Sequence, residues 1–285
     1  MAQCIVIKRT AIKLLVMKLQ HLPFLFIVLA MGACMWGVPK NTPDAMTKDT
    51  LAYTYKNIKQ RASDCGNKPD SGCTVAIIKY PDFTGKPALN DTLRNKLFNL
   101  FWDDTTPEPD TDLQKYATEF IKVYEDGKDN PDVKGRIFTV QSGVKVLRQD
   151  SSLVTLQVGG YMFQGGAHGA TITRFINWDS KANKNLKLSD ILVNGYSDKL
   201  TNVADTIFRK DEKLSDTSSL ARDYFFKNNQ FALNDNFLIT PVGLRFLYNQ
   251  YEIKPYAAGQ TDLLIPYAKI KSLLLPHTVV SQYIK

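Results

Sequence analysis

The chain has 285 residues, 44% of them hydrophobic and 22% charged, which is enough apolar material for one large domain or two small ones and too mixed for a disordered or fibrous class. Residues 1–33 hold four of the 36 basic residues and none of the 28 acids, so the formal net charge of +8 falls to +4 without them. No clustered Lys/Arg stripe remains, and the balance speaks against a nucleic-acid partner.

The stretch MKLQHLPFLFIVLAMGAC (17–34) sets a basic start before an apolar run, Leu22 to Met31, that is too short to span a bilayer comfortably. Gly32 and Ala33 then stand directly before Cys34. This order resembles a bacterial lipoprotein signal, which implies that Cys34 is acylated and that the chain is extracytoplasmic, anchored to a membrane by its lipid. Met31 departs from the leucine commoner at that place, and an uncleaved anchor helix is the rival reading. Residues 1–34 are therefore read as the signal peptide, with Met17 a candidate true start, and residues 35–49, with Pro39 and Pro43 and no periodicity, as a tether. No acidic run follows Cys34, so a periplasmic face is expected if the cell has two membranes.

Cys4 lies in the leader, and Cys34 is the lipid site. Cys65 and Cys73 flank GNKPDSG, a turn-rich loop between two expected strands, and in an oxidising compartment form a natural disulfide. Two thiols with no histidine nearby make a poor zinc site.

In chain order, LAYTYKNIK (51–59) is predicted as a strand with Leu51, Tyr53 and Tyr55 on one face, and TVAIIKYPDF (74–83) as a second that ends near Pro81. Asn90 is predicted to cap a helix with Leu93, Leu97, Leu100 and Phe101 on one side. Leu113, Tyr116, Phe120 and Tyr124 recur at helical spacing in a second helix, stopped by EDGKDNPD (125–132). Residues 134–180 alternate as strands: GRIFTVQSGVKVLRQDS and SLVTLQVGGYMFQ as antiparallel neighbours turned at QDSS, then GATITRFINWDS. LKLSDIL leads to a helix with Leu200, Val203, Ile207 and Phe208 on one face, and a less regular helix is expected over 217–228. NFLIT and LRFLYNQYEI flank a tight turn at TPVG, and TDLLIPYAKIKSLL gives a short strand and a helix from Pro266. The whole reads as α+β: antiparallel sheets with helices packed on one side, in two closely packed subdomains. The expected divisions are an N-terminal α/β module over 50–133, a second domain over 134–276 and a tail over 277–285.

Familiar catalytic signatures are missing: there is no GxGxxG, GxxxxGK[ST], HExxH or GxSxG. Beyond the leader only His168 and His277 remain, so a histidine-rich metal site is excluded and any Ser-His-Asp arrangement must use one of them. Carboxylate pairs such as Asp103/Asp104 and Asp211/Glu212 fall in turn-like or helix-exposed segments and read as solvated. GGYMFQGGAHG (159–169) holds five of the sixteen glycines together with His168. A glycine-flanked histidine is a general base, a ligand, or a hydrogen-bonding pin at a bend. The last is the reading adopted, with Gly165 or Gly166 expected at positive φ and the loop a candidate binding surface.

YMFQGGAHGATITRFINWD, then LKLSDIL and a helix, then NFLITPVGLRFLYNQYEIKPYAAGQTDLLIPYAKIKSLL, resembles the RsiV-like C-terminal domain. TVAIIKYPDFTGKPALNDTLRNKL resembles the small α/β module found beside peptidoglycan deacetylase domains of the PdaC type. Together the likeness spans about residues 50–276. Its two specific elements are GGAHG (Gly165, Gly166, Ala167, His168, Gly169) and YEIKPYAAG, with Tyr251, Glu252, Pro255, Tyr256 and Gly259. The resemblance implies a non-catalytic extracytoplasmic module with no cofactor or metal. In the family's named member that module is the sensor half of an anti-sigma factor, which binds lysozyme and thereby exposes the protein to proteolysis. The short leader is read as leaving out the signalling half, and the deacetylase domain's Asp and His ligands are not found here.

The leading expectation is a membrane-anchored envelope lipoprotein that binds a lysozyme-like protein or a peptidoglycan-linked ligand. The alternatives are an envelope hydrolase using His168 and a structural envelope protein without a soluble ligand.

Overall fold

The computed structural model describes residues 50–102, 111–131 and 133–284. The signal peptide, Cys34, the tether and most of the acidic loop WDDTTPEPD (102–110) lie outside the described residues. Among those described, no helix is long and apolar enough to cross a membrane. The fold is α+β, as the alternating and helical patterns require.

Six strands form the first sheet in the order β1 (Tyr53–Arg61), β2 (Val75–Phe83), β3 (Thr139–Gln149), β4 (Leu153–Phe163), β5 (Ala170–Asp179) and β6 (Lys184–Asn185). Neighbours are antiparallel except β2 and β3, which run parallel from Val75↔Thr139 to Lys79↔Gly143. That pair is the exception in an otherwise antiparallel sheet, for a topological reason. A parallel neighbour needs a crossover, here supplied by α1 (Pro87–Phe98) and α2 (Leu113–Gly127). The sheet therefore runs unbroken across residue 134.

The two helices bury Leu89, Leu93, Leu97, Leu113, Ala117, Phe120 and Tyr124 against Ala76, Ile78, Val140, Val144, Leu156 and Val158. Asp112 caps α2, its carboxylate accepting from the Gln114 and Lys115 amides. Asn90 does not cap α1. Pro87 occupies the first turn, where its missing N–H costs nothing. Asn90 lies inside the helix, accepting from the Phe83 amide at 2.8 Å and donating to the Phe83 carbonyl at 2.9 Å. Nor does Pro81 end β2. Its ring sits beyond Lys79, where pairing with β3 has stopped and no ladder bond to that neighbour is lost.

A second core gathers α3 (Ser197–Asp211) on the antiparallel sheet β7 (Phe237–Ile239), β8 (Gly243–Tyr248) and β9 (Thr261–Pro266). Leu200, Ala204 and Phe208 pack there with Ile239, Leu244, Phe246 and Ile265. The helix expected over 217–228 is replaced by turns and a 3-10 turn at Lys227–Asn229. Arg209 donates to the Ser215 and Ser218 carbonyls, and the Ser218 hydroxyl accepts from the Ser215 amide, so local side-chain bonds displace helical ones. The helix expected from Pro266 is two 3-10 turns, Tyr267–Lys269 and Lys271–Leu273.

Asparagine side chains join the two sheets. Only Trp178 and Asp179 of β5 pair with β6, and the Asn177 backbone is served by the Asn185 side chain and the Leu186 amide, which leaves an open edge at Thr173 and Phe175. Asn249 accepts from the Thr173 amide at 2.8 Å and donates to the Thr173 carbonyl at 3.0 Å. Asn236 accepts from the Phe175 amide and also donates to the Thr173 carbonyl. In return Asn177 donates to the Phe237 carbonyl and accepts from the Ile239 amide, closing the free edge of β7. Side-chain amides thus replace a missing strand, which buried backbone groups demand. Phe175, Leu238 and Leu247 fill the space between.

Candidate functional site

β7 lies against β5, and Asn249 at the end of β8 binds Thr173, which carries the loop after β8 to the bend between β4 and β5. The stretch GGYMFQGGAHG is the end of β4, a bend over residues 164–168 and the approach to β5, as the glycine pattern predicts. Gly165 has φ +78 and is buried, and a Cβ there would press on Arg136 Cδ at 3.0 Å and Phe138 Cε1 at 3.2 Å. Gly166 and Ala167 are exposed, and the Tyr161 ring lies where a Cβ on Gly169 would go. Gly165→Val is expected to cost about 1–2 kcal/mol from the left-handed backbone alone. His168→Ala, at an exposed position, should cost less. Urea unfolding of both variants checks the order, and a reversal contradicts it.

His168 meets the second motif across the junction. Its Nδ1 lies 3.1 Å from the Gly169 carbonyl, which can only accept, so that nitrogen carries the proton. Nε2 lies 3.1 Å from the Tyr251 hydroxyl and accepts from it in the neutral ring. The Tyr256 ring stacks on the imidazole with centroids 4.0 Å apart and planes at 20°, and the Tyr251 ring lies 5.6 Å away. Both ring nitrogens are thus engaged, by a carbonyl and a phenol. No carboxylate, thiol or serine hydroxyl is among these partners, which are those of a pinned side chain rather than of an activated base.

The remaining motif residues build the loop that presents these rings. Tyr251 stands at φ +65, uncommon for a residue with a Cβ, and is 55% exposed. Glu252 holds that turn: its carboxylate accepts from the Asn249 amide at 2.7 Å and from the Asn234 side chain at 2.6 Å. Pro255 precedes the 3-10 turn Tyr256–Ala258, and Gly259 ends it. The structure therefore brings His168, Tyr251 and Tyr256 together, while Glu252, Pro255 and Gly259 shape the backbone. His277 is exposed near the C-terminus, apart from this group. Among the described residues no cluster of three or more His, Cys, Asp or Glu side chains could hold a metal ion.

Cys65 and Cys73 are placed as a disulfide pair, both buried, with Cα atoms 5.3 Å apart. The asparagine bridges and the Tyr161 ring over Gly169 were missed in the sequence. The only signal for the former was the recurrence of Asn at Asn177, Asn236 and Asn249 beside strand ends.

Residues 68–171 match the family described as deacetylase PdaC, and residues 189–268 match the family described as a protein of unknown function, DUF3298. The first match includes His168 and the second Tyr251 and Tyr256, so the ring cluster lies where the two matched regions meet. No curated protein matches the chain. A solved structure of a DUF3298 family member from Bacteroides fragilis NCTC 9343 is 23% identical, with a TM-score of 0.62 over 83% of this chain and 99% of that one. A DUF3298 family protein from Pseudomonas aeruginosa PAO1 is also 23% identical, with a TM-score of 0.61 over 80% of this chain and 96% of that one. Identities this low speak for the fold. The chain carries a PdaC-like domain followed by a DUF3298 domain, in the fold of these DUF3298 structures.

Proposed function

We propose that the chain is a lipid-anchored envelope protein whose junction surface binds a lysozyme-like protein or a cell-wall component without chemically altering it. The observation that carries this reading is the convergence of His168 with Tyr251 and Tyr256, the first two 83 residues apart, into a partly exposed ring cluster on a turn held by the Glu252 hydrogen bonds. Tyrosines fixed in this way supply contact area at little entropic cost, which is how binding hot spots are built. The sensor role of the RsiV-like domain supports a protein ligand in first place.

A basic partner such as an animal-type lysozyme would be drawn to acidic surface. In EDGKDNPD (125–132), Glu125 is ion-paired with Lys128 and accepts from the Ser63 amide, which hold its carboxyl down at about 2. Its charge is locally compensated, which leaves Asp126 and Asp129 exposed there. The rings, rather than the acids, therefore supply the main contact in this reading.

Anchoring is tested by metabolic labelling with a palmitate analogue: wild type should be tagged and Cys34→Ala should not. Equal labelling, or none in either, contradicts the anchor. The immobilised full chain should retain lysozyme or soluble wall fragments at physiological salt, and retention of neither contradicts the binding role. Turnover of a wall or ester substrate that disappears in His168→Ala would establish the hydrolase reading in its place.

A further inference from the structure

The helices cover one face of the first sheet. The other face is covered at β5 and at the start of β4, where Leu153 and Thr155 are buried, and is open around Lys79, Gln141 and Lys145. It holds a depression of about 680 Å³ lined by Tyr55, Lys79, Gln141, Lys145, Gln157 and Gly159, among others. That volume falls within the range of small-ligand sites, roughly 300–1,000 Å³.

The floor is a pair of glycines. Gly143 and Gly159 face each other across β3 and β4, with Lys79 beside Gly143 on β2. The two have different causes. A Cβ on Gly143 would lie 2.6 Å from the Lys79 carbonyl oxygen, so the parallel pairing itself requires glycine there. Nothing comparable holds Gly159. It has no positive φ, and its Cβ would find only ordinary contacts, 3.4 Å to the Ile172 carbonyl oxygen and 3.6 Å to Thr173 Oγ1. A mid-strand glycine that neither dihedral nor neighbour demands costs stability, and such a residue often marks where a ligand comes close to the backbone.

The walls carry the chemistry. Gln141 pairs with Tyr161 on one side of the glycines and Lys145 with Gln157 on the other. The Lys79 ammonium lies 5.1 Å over the Tyr55 ring. No carboxylate lines the depression, and among the described residues neither lysine takes part in an ion pair. Side-chain amides match hydroxyl pairs, and ammonium groups without an ion-pair partner match carboxylates.

We propose that this trough binds an anionic saccharide, its backbone lying over Gly159, its hydroxyls on Gln141 and Gln157 and its carboxylates on Lys79 and Lys145. The site is separate from the His168 cluster, and its test is independent of the ligand bound there.

The probe is a hyaluronan hexasaccharide, set against the neutral hexamer of N-acetylglucosamine, each titrated by calorimetry into the full chain in detergent. Wild type should bind the carboxylated hexamer about tenfold more tightly than the neutral one, as two exposed ion pairs allow. The preference should shrink as salt is raised. Lys79→Gln with Lys145→Gln should remove the preference. Gly159→Val should abolish binding of both hexamers while leaving the thermal midpoint unchanged or raised. His168→Ala should bind as wild type does. If Gly159→Val does not fold, the lysine pair decides alone. Equal affinity for the two hexamers, no binding of the carboxylated one, or wild-type binding by the folded Gly159→Val or by the lysine variant would overturn the proposal.

Discussion

Asn249→Ala is expected to destabilise the chain by about 2–4 kcal/mol, an effect well above that of an ordinary polar substitution. Asn249 is 6% exposed and serves the Thr173 amide, the Thr173 carbonyl and the Gln260 side chain. Alanine leaves the Thr173 N–H buried without a partner. The carbonyl is still served by Asn236, which bounds the loss. A second consequence follows from position. Asn249 begins the turn that holds Tyr251, so loosening it should free Tyr251 and Tyr256 from His168. Urea unfolding measures the first effect, and the His168 ring resonances in NMR report the second. A loss below about 0.5 kcal/mol would mean that the asparagine bridges do not hold the sheets together.

The second large effect concerns Cys65 and Cys73. Their separation of 8 residues closes a short loop, for which chain entropy gives about 2–3 kcal/mol. The pair also pins the start of β2, where the Thr74 carbonyl accepts from the Ala62 amide and the Thr74 hydroxyl from the Phe138 amide. Replacing both cysteines by alanine should therefore lower stability by that amount, and reductant should do the same to wild type. The unfolded, unreduced protein should yield no free thiol from these two positions. Two titratable thiols there, or a double variant as stable as wild type, would contradict the bond.

Much of the first sheet was legible in the sequence because its signals are local. The hairpin of β3 and β4 turns where QDSS interrupts two alternating runs, and the bend at Gly165 was announced by glycines that only backbone geometry explains. Asn90 is a good capping residue, but Pro87 starts the helix and leaves Asn90 inside it. The stretch 217–228 misled because its apolar residues are anchors for irregular chain: Tyr224 and Phe226 pack around Phe208, an arrangement that periodicity does not distinguish from a helix face. The parallel pairing of β2 with β3 depends on a crossover through two helices and has no local mark.

For the candidate site the limit was of another kind. GGAHG and YEIKPYAAG each stood out, but nothing in either says that His168 Nε2 faces the Tyr251 hydroxyl. That contact exists because Asn249 and Asn236 complete the edge of β5, a tertiary bond made by residues with no pattern of their own. Gly159 stood in the same glycine-rich stretch as Gly165, and only the surroundings of each separate the glycine the backbone needs from the one it does not.

In the proposed function the ring cluster at the junction is the recognition surface. Calorimetric titration of the full chain with an animal-type lysozyme, and separately with soluble peptidoglycan strands, tests it most directly when repeated on Tyr251→Ala with Tyr256→Ala. Wild type should bind one of the two at micromolar concentration or below, and the double variant, still folded, should lose at least about a hundredfold in affinity, as expected for two hot-spot tyrosines. Unchanged affinity in the folded double variant, or no binding of either ligand by wild type, would contradict the claim.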